Sequence, residues 1–473
     1  MVFPKVVICP ICEKKTYLRI ENGGYLNEYP IRVYCSNCRS LMKGIYVMNS
    51  ASKAKGLSMI NAKIEDCDVD PIVKRILNAD YVLDISGELP CKKVRNFDGN
   101  LIASTPFLEA VDQIKMSERI DRLSYFTKNM GEWREWRSIA FQLLDEGSID
   151  YIATALHNKM GEYFYHCDNY LKSLHCLQEV VLEETENLFF RPTQEAIVLD
   201  LLVKLSQLDK ASLHQFVEHI GGIEVIISSF CRIIDVISAF MDIYPNILPA
   251  ETFMRFRNIE QPNYGIATCS FGDIKTFYQD TYETILSLLY LPVCIDNILQ
   301  RGHFATFSSI LVKLFTNNKY NRLPDNFARY MALDNGMKLE KIQVSEPMQY
   351  ALNIPANRFL RNAIGHNNVK YDGLTQMITV FDQKEQKAIK LEKSLMEMAI
   401  DCIGLTRSSV IMAEIMLFIL RQELRDKNLS SIIHPRFYKK AQPNAKCPCG
   451  SNLKYKKCCM SDIESLKSNH KRS

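Results

Sequence analysis

The sequence predicts a mainly α, multi-domain protein with a small β ribbon at the N-terminus and a small metal-binding module at the C-terminus. Three observations carry this. The 473 residues correspond to roughly three domains at about 150 residues each. Apolar residues recur at helical spacing through most of residues 106–430. Eight of the sixteen cysteines form two paired clusters, one toward each end. The expected divisions are 1–50 for the ribbon, 51–105 for a mixed α/β segment, 106–261 and 262–430 for two helical domains, and 434–473 for the C-terminal module.

A content of 47% hydrophobic and 24% charged residues is that of a globular chain and excludes the disordered class. The longest apolar windows, 286–299 and 409–420, are short and carry Asp296 and Glu414, so no membrane partner is expected. Met1-Val2-Phe3-Pro4-Lys5 runs directly into a Cys pair without a secretory apolar core, which predicts a cytoplasmic protein. Net charge is +4, but residues 434–473 carry ten Lys/Arg against two Asp/Glu, leaving −4 for the rest. A basic segment on a near-neutral body implies an anionic partner, most simply RNA or the ribosome.

In the ribbon, Cys9-Pro10-Ile11-Cys12 and Cys35-Ser36-Asn37-Cys38 are two knuckles with 22 residues between them. Residues 15–21 and 29–34 read as strands around Asn22-Gly23-Gly24. Four thiolates complete a tetrahedral Zn²⁺ and leave no position for a catalytic water, so the site is structural. Paired cysteines without an export signal point to metal rather than disulfides. A segment this small would owe its folding energy to the metal. Residues 51–105 mix a short helix near 71–78 with strands at 81–85 and 94–102. The alternating Asp66, Asp68 and Asp70 lack the glycine and distal Glu of a cation loop and read as a solvated turn.

Residues 106–261 read as helical. Part of 159–174 resembles one tetratricopeptide-type hairpin, although such arrays need stacked neighbours. His157, His166 and His175 recur every nine residues, which does not align them on one helix face. Trp133 and Trp136, interleaved with Arg134 and Arg137, either stack on bases or, the favoured reading, anchor a half-buried helix.

The densest polar chemistry lies in Asn353-Ile354-Pro355-Ala356-Asn357-Arg358-Phe359-Leu360-Arg361-Asn362-Ala363-Ile364-Gly365-His366. Asn353 and Pro355 predict a helix start. Phe359, Leu360, Ala363 and Ile364 predict a docked apolar stripe, and Gly365 a point where the backbone leaves the helix. Around an ideal helix Arg361 and His366 stand about 140° apart, and a relaxed last turn would bring them together. Amphipathic helices over 273–315 precede this stretch. A hairpin of 374–381 and 387–391, then a helix over 392–425, follow it.

Arg361-Asn362, three residues and His366, in this helix–hairpin–helix setting, resembles the signature of the HEPN-superfamily ribonucleases. The resemblance implies a HEPN-like helical bundle and a metal-independent endoribonuclease that leaves 2′,3′-cyclic phosphate ends. Within it, Arg361, Asn362 and His366 are the catalytic candidates and Arg358 a second phosphate contact. It also implies a homodimer with a composite site and, by analogy, a defence or toxin effector cleaving tRNA or other RNA. The bland alternative is a solvated Arg and a helix-capping His, in a zinc-containing adaptor that binds RNA, ribosome or protein.

Residues 316–347 read as a polar insertion. Its Lys319, Arg322, Arg329, Lys338 and Lys341 either line an RNA path or form an ordinary loop. Finally, Cys447-Pro448-Cys449-Gly450-Ser451-Asn452-Leu453-Lys454-Tyr455-Lys456-Lys457-Cys458-Cys459 resembles the SEC-C zinc motif. Cys447, Cys449, Cys458 and Cys459 are its implied ligands, with Cys459 at a position often held by His. Lys439, Lys440, Lys446, Lys454, Lys456 and Lys457 surround it. The implied role is docking to a ribosomal or regulatory protein surface. Zn²⁺ at two structural sites is the only cofactor expected, with none for catalysis.

Overall fold

The computed structural model describes residues 2–21, 26–47, 56–65, 81–94, 133–144, 173–174, 177, 189–190, 192–254, 264–308, 323–381, 389–425, 441–447 and 453–461. The chain forms two compact units. One comprises Met1–Gly131, Ala239–Asp280 and Pro355–Gly404, and the other Glu132–Ser238, Thr281–Ile354 and Leu405–Ser473. Each is assembled from segments distant in sequence.

The first unit holds the β structure. Strands β1 (Val2–Ile8) and β2 (Lys15–Glu21) form an antiparallel hairpin, and β3 (Glu28–Tyr34) pairs with β4 (Leu41–Val47) in a second. β5 (Gly56–Met59) extends the second hairpin, and β6 (Lys63–Glu65) returns to β1. β7 (Tyr81–Ser86) lies parallel to β2, followed by β8 (Cys91–Val94) and β9 (Tyr264–Gly265). The large sheet therefore runs β6-β1-β2-β7-β8-β9. β2 is buried at six consecutive positions, as expected of a strand covered on both faces, whereas β3 alternates. Arg19 on β2 faces Asp84 on β7 and donates to it through Nε at 2.5 Å and Nη2 at 2.6 Å, both side chains buried. A bidentate pair of this kind satisfies both charges inside the sheet. The strands expected at 15–21 and 29–34 are thus present; β1 and β2 share their sheet with β7, β8 and β9, whereas β3 and β4 form a separate sheet with β5.

Helices α1 (Trp133–Leu144), α2 (Pro192–Leu205) and α3 (Lys210–His219) belong to the second unit. α1 buries Trp133, Trp136, Ile139, Ala140, Leu143 and Leu144, a single stripe at helical spacing. The Trp133 indole donates to Ser238 Oγ at 3.1 Å, and Arg137 pairs with Asp235 at 2.7 Å. Trp133 and Trp136 are therefore anchors, not an open stacking surface. The long α4 (Ile223–Phe253) is followed by α5 (Phe271–Leu288) and α6 (Tyr290–Arg301). α6 ends in left-handed geometry at Gly302, short of the expected 315. Residues 309–322 lie outside the described set, with Lys319 and Arg322. The expected polar insertion contains short helices α7 (Phe327–Met331) and α8 (Asn335–Glu340). α9 (Glu346–Leu352) then leads toward the candidate helix α10 (Arg358–Gly365).

After α10 come β10 (Val369–Asp372), β11 (Met377–Phe381) and β12 (Ile389–Ser394), a three-stranded antiparallel sheet where a single hairpin was expected. Helix α11 (Leu395–Arg425) closes the order. It starts at a capping box: the Ser394 N–H donates to Glu397 at 2.7 Å and the Glu397 N–H to Ser394 Oγ at 3.1 Å. Phe271–Arg301 and Leu395–Leu424 are long and apolar enough to cross a membrane, yet 78% and 94% of their most apolar windows are buried inside the protein, as in core helices.

Candidate functional site

Helix α10 begins later than the sequence suggests. Asn353, the expected N-cap, ends α9 instead in left-handed geometry (φ 37°). The cap is Asn357, whose Oδ1 accepts from the Leu360 N–H at 3.1 Å and whose own N–H donates to Tyr278 Oη at 2.9 Å. Pro355 does not open the helix but packs on α11, where a Cβ on Gly404 would lie 2.5 Å from its Cγ. Leu360, Ala363 and Ile364 are buried, as expected of a docked stripe. Phe359, assigned to the same stripe, is 41% exposed.

The helix end also differs from expectation. Gly365 stays helical and open: a Cβ added there would meet no atom within 4 Å, and its φ is not positive. Asn367 takes the left-handed conformation (φ 55°). The Asn368 N–H donates to Ala363 O at 2.8 Å and the Asn367 N–H to Ile364 O at 3.2 Å, a Schellman closure with Asn in place of Gly. Because α10 remains regular through Gly365, Arg361 and His366 keep an angular separation of about 140°. Arg361 is half-buried and donates from Nη1 to Asn362 Oδ1 at 3.1 Å, while His366 is exposed. Asn362 therefore steadies the guanidinium rather than the imidazole. Arg358 is half-buried beside them.

The first cysteine cluster is built by two near-identical turns. In one, the Cys9 N–H donates to Lys14 O and the Glu13 N–H to Cys9 O, both at 3.0 Å. In the other, the Cys35 N–H donates to Ser40 O at 2.9 Å and the Arg39 N–H to Cys35 O at 3.0 Å. Glu13 and Arg39, each following the second cysteine of its pair, both have positive φ (58° and 61°). All four Sγ atoms lie within 4.8 Å of one another, with Cys9–Cys38 at 3.5 Å and Cys12–Cys35 at 3.4 Å. A zinc ion with Zn–S near 2.3 Å sets its sulfurs about 3.8 Å apart, so the unoxidised thiols fit such an ion without rearrangement. Hydrogen bonds from the Lys14 backbone and Asn37 side chain bring the Cys12 thiol down to about 6. The Ser40 hydroxyl and backbone lower Cys38, while burial pushes Cys35 up to about 12.

This second knuckle rests on the sheet that follows α10. Arg39 pairs with Asp372 at the end of β10, 3.0 Å away, and Asp372 Oδ1 also accepts from the Leu374 and Thr375 N–H groups. Tyr34 meets Tyr371 edge-on at 6.5 Å, and Tyr371 stacks on Phe271 at 5.0 Å. At Gly373 a Cβ would collide with the Tyr34 ring, so only glycine permits this approach.

In the C-terminal module Cys447, Cys458 and Cys459 bring their Sγ atoms within 4.8 Å. Cys449 lies outside the described residues, as do Asp66, Asp68, Asp70, His157, His166, His175, Lys439 and Lys440. The Cys447 N–H donates to Leu453 O at 2.7 Å, and Tyr455, which is buried, donates its N–H to Ala445 O at 2.9 Å. A 3₁₀ turn over Tyr455–Lys457 then delivers Cys458 and Cys459. Among the loop cations, Arg329 pairs with Asp325, and Lys338 is buried, its pKa lowered by desolvation. Sequence reasoning missed Lys390, whose Nζ lies 4.4 Å over the Phe359 ring. The helical register of its partner was legible, however: Phe359, Asn362 and His366 are spaced i, i+3, i+7.

A family model for the SEC-C motif matches residues 444–461, the span that contains all four cysteines of the C-terminal module. No curated protein and no solved structure matches the chain.

Proposed function

We propose that the protein is a HEPN-type, metal-independent endoribonuclease in which two structural zinc sites brace and dock the catalytic part. The observation carrying this reading is Arg361-Asn362-x₃-His366 on one short helix, with the half-buried guanidinium steadied by Asn362 at 3.1 Å and the imidazole exposed. In the reaction, a ribose 2′-hydroxyl attacks the adjacent phosphorus and the 5′-oxygen leaves, giving a 2′,3′-cyclic phosphate and a 5′-hydroxyl end. His366 transfers the proton, the task for which an imidazole is suited near neutral pH. Arg361, permanently charged and fork-shaped, stabilises the crowded phosphorane. Arg358 supplies a further phosphate contact. The wide angle between Arg361 and His366 suits a site completed by a second copy of the chain, so the active form is a homodimer. The target is tRNA or another RNA, in the setting of a bacterial defence or toxin effector. The basic SEC-C module carries the enzyme to a ribosomal or regulatory protein surface.

The test incubates full-length protein with total RNA without added divalent metal, beside His366→Ala and Arg361→Ala. Cleavage by wild type alone, with new ends that accept phosphate from a polynucleotide kinase, supports the enzyme. RNA left intact at molar excess of protein overturns it. The adaptor reading then takes its place, favoured by clusters made wholly of thiols, which hold metal without offering it to a substrate.

A further inference from the structure

We infer that Phe359 is a base-stacking platform, and that the face it shares with Asn362 and His366 seats an unpaired nucleotide of single-stranded RNA. The inference rests on the nuclease reading of the same helix and adds the element that positions the strand. A docked helix ordinarily buries its large apolar side chains. Here the small Ala363 is buried while Phe359, one turn before it, is 41% exposed. Two cations attend the ring: Lys390 Nζ at 4.4 Å from its centroid and Arg358 Cζ at 5.1 Å. Seven residues are close to two helical turns, so Phe359 and His366 differ by only about 20° around α10, with Asn362 between them.

An exposed aromatic ring flanked by two cations is the composition that binds single-stranded nucleic acid, because every base has a π-face and every link a phosphate. Stacking of a base outweighs an exposed cation–π contact. A base entering over the ring therefore displaces one cation, which turns to the neighbouring phosphate. The strand would then run along the helix from Phe359 toward His366. The charge favours RNA over a protein partner, since an apolar protein contact would leave both cations against a desolvated ring.

The test measures fluorescence anisotropy of a labelled oligoadenylate and of its abasic counterpart against the full chain carrying His366→Ala, which removes cleavage from the readout. Phe359→Ala and Phe359→Leu are expected to weaken oligoadenylate binding by about 5- to 150-fold and to leave abasic binding unchanged, with Phe359→Trp restoring it. Lys390→Gln is expected to weaken both ligands and to flatten the salt dependence. Equal binding by wild type and Phe359→Ala overturns the inference, as does no binding by wild type. A Phe359→Ala change that only alters the mass in light scattering marks a contact between copies and overturns it too. Binding that depends on Phe359 in a protein that never cleaves RNA would leave the platform standing and remove the nuclease.

Discussion

Asn367 holds a left-handed backbone (φ 55°) at the end of the candidate helix, a conformation that costs a residue with a Cβ roughly 1–2 kcal/mol. Asn367→Ala should therefore lower stability by about 1 kcal/mol relative to Asn367→Gly. Gly365→Ala, at a helical site with open space, should raise it by roughly 0.4–1 kcal/mol. Thermal unfolding of the three variants checks both signs, and the opposite order would place the helix end at Gly365 after all. For the chemistry, removing a positioned proton-transfer group costs about 10²–10⁴-fold and a charge-stabilising donor about 10²–10³-fold. RNA cleavage by His366→Ala and by Arg361→Ala should each fall by at least about 100-fold, with the unfolding midpoint of His366→Ala unchanged because its side chain is exposed. Phe359 shows how magnitudes assign a residue. An exposed cation–π pair is worth about 0.5–1 kcal/mol against about 1–3 kcal/mol for stacking a base, so its present partners yield to a nucleotide.

At the scale of elements, the entry to α10 is set by its contact with α11 rather than by its own proline. Pro355 lies against Gly404, where any Cβ would come within 2.5 Å of the ring. Gly404→Ala should overpack this crossing, cost about 1–3 kcal/mol, and raise hydrogen exchange across α10, while an unchanged exchange pattern would show the contact to be slack. Much of this level was legible beforehand. β2 matches the expected strand at 15–21, and α11 starts within three residues of the expected helix, at a Ser-x-x-Glu box that a sequence displays openly. The knuckles were legible from Cys spacing alone, because four ligands to one ion restrict the chain more than any propensity does. The start of α10 was not. Asn353 and Asn357 are equally good caps locally, and the choice falls to Tyr278 and Gly404, which are 79 and 47 residues from Asn357. The burial of Phe359 was misjudged for the same reason: the width of the buried stripe depends on what α10 packs against.

At the scale of the molecule, the first unit draws together segments that the chain separates widely: the N-terminal knuckles and the strand beyond α10 meet through Arg39 and Asp372, 333 residues apart. No periodicity or motif reports such a contact, because it joins residues that a reading along the sequence takes separately. The contact has a consequence for the metal. Arg39 follows Cys38 directly and takes positive φ in the turn that its N–H closes on Cys35 O, so an ion bridging the knuckles would be expected to steady the guanidinium that reaches Asp372. Asp372 in turn caps the turn joining β10 to β11. Cys38→Ser should therefore cost one equivalent of bound metal and raise amide exchange over Val369–Asp372. Cys458→Ser, in the other unit, should cost one equivalent and leave β10 unchanged. Metal content and exchange read on the same samples separate the two, and protection of β10 that survives loss of the first ion would mean that the sheet stands without a metal at the knuckles.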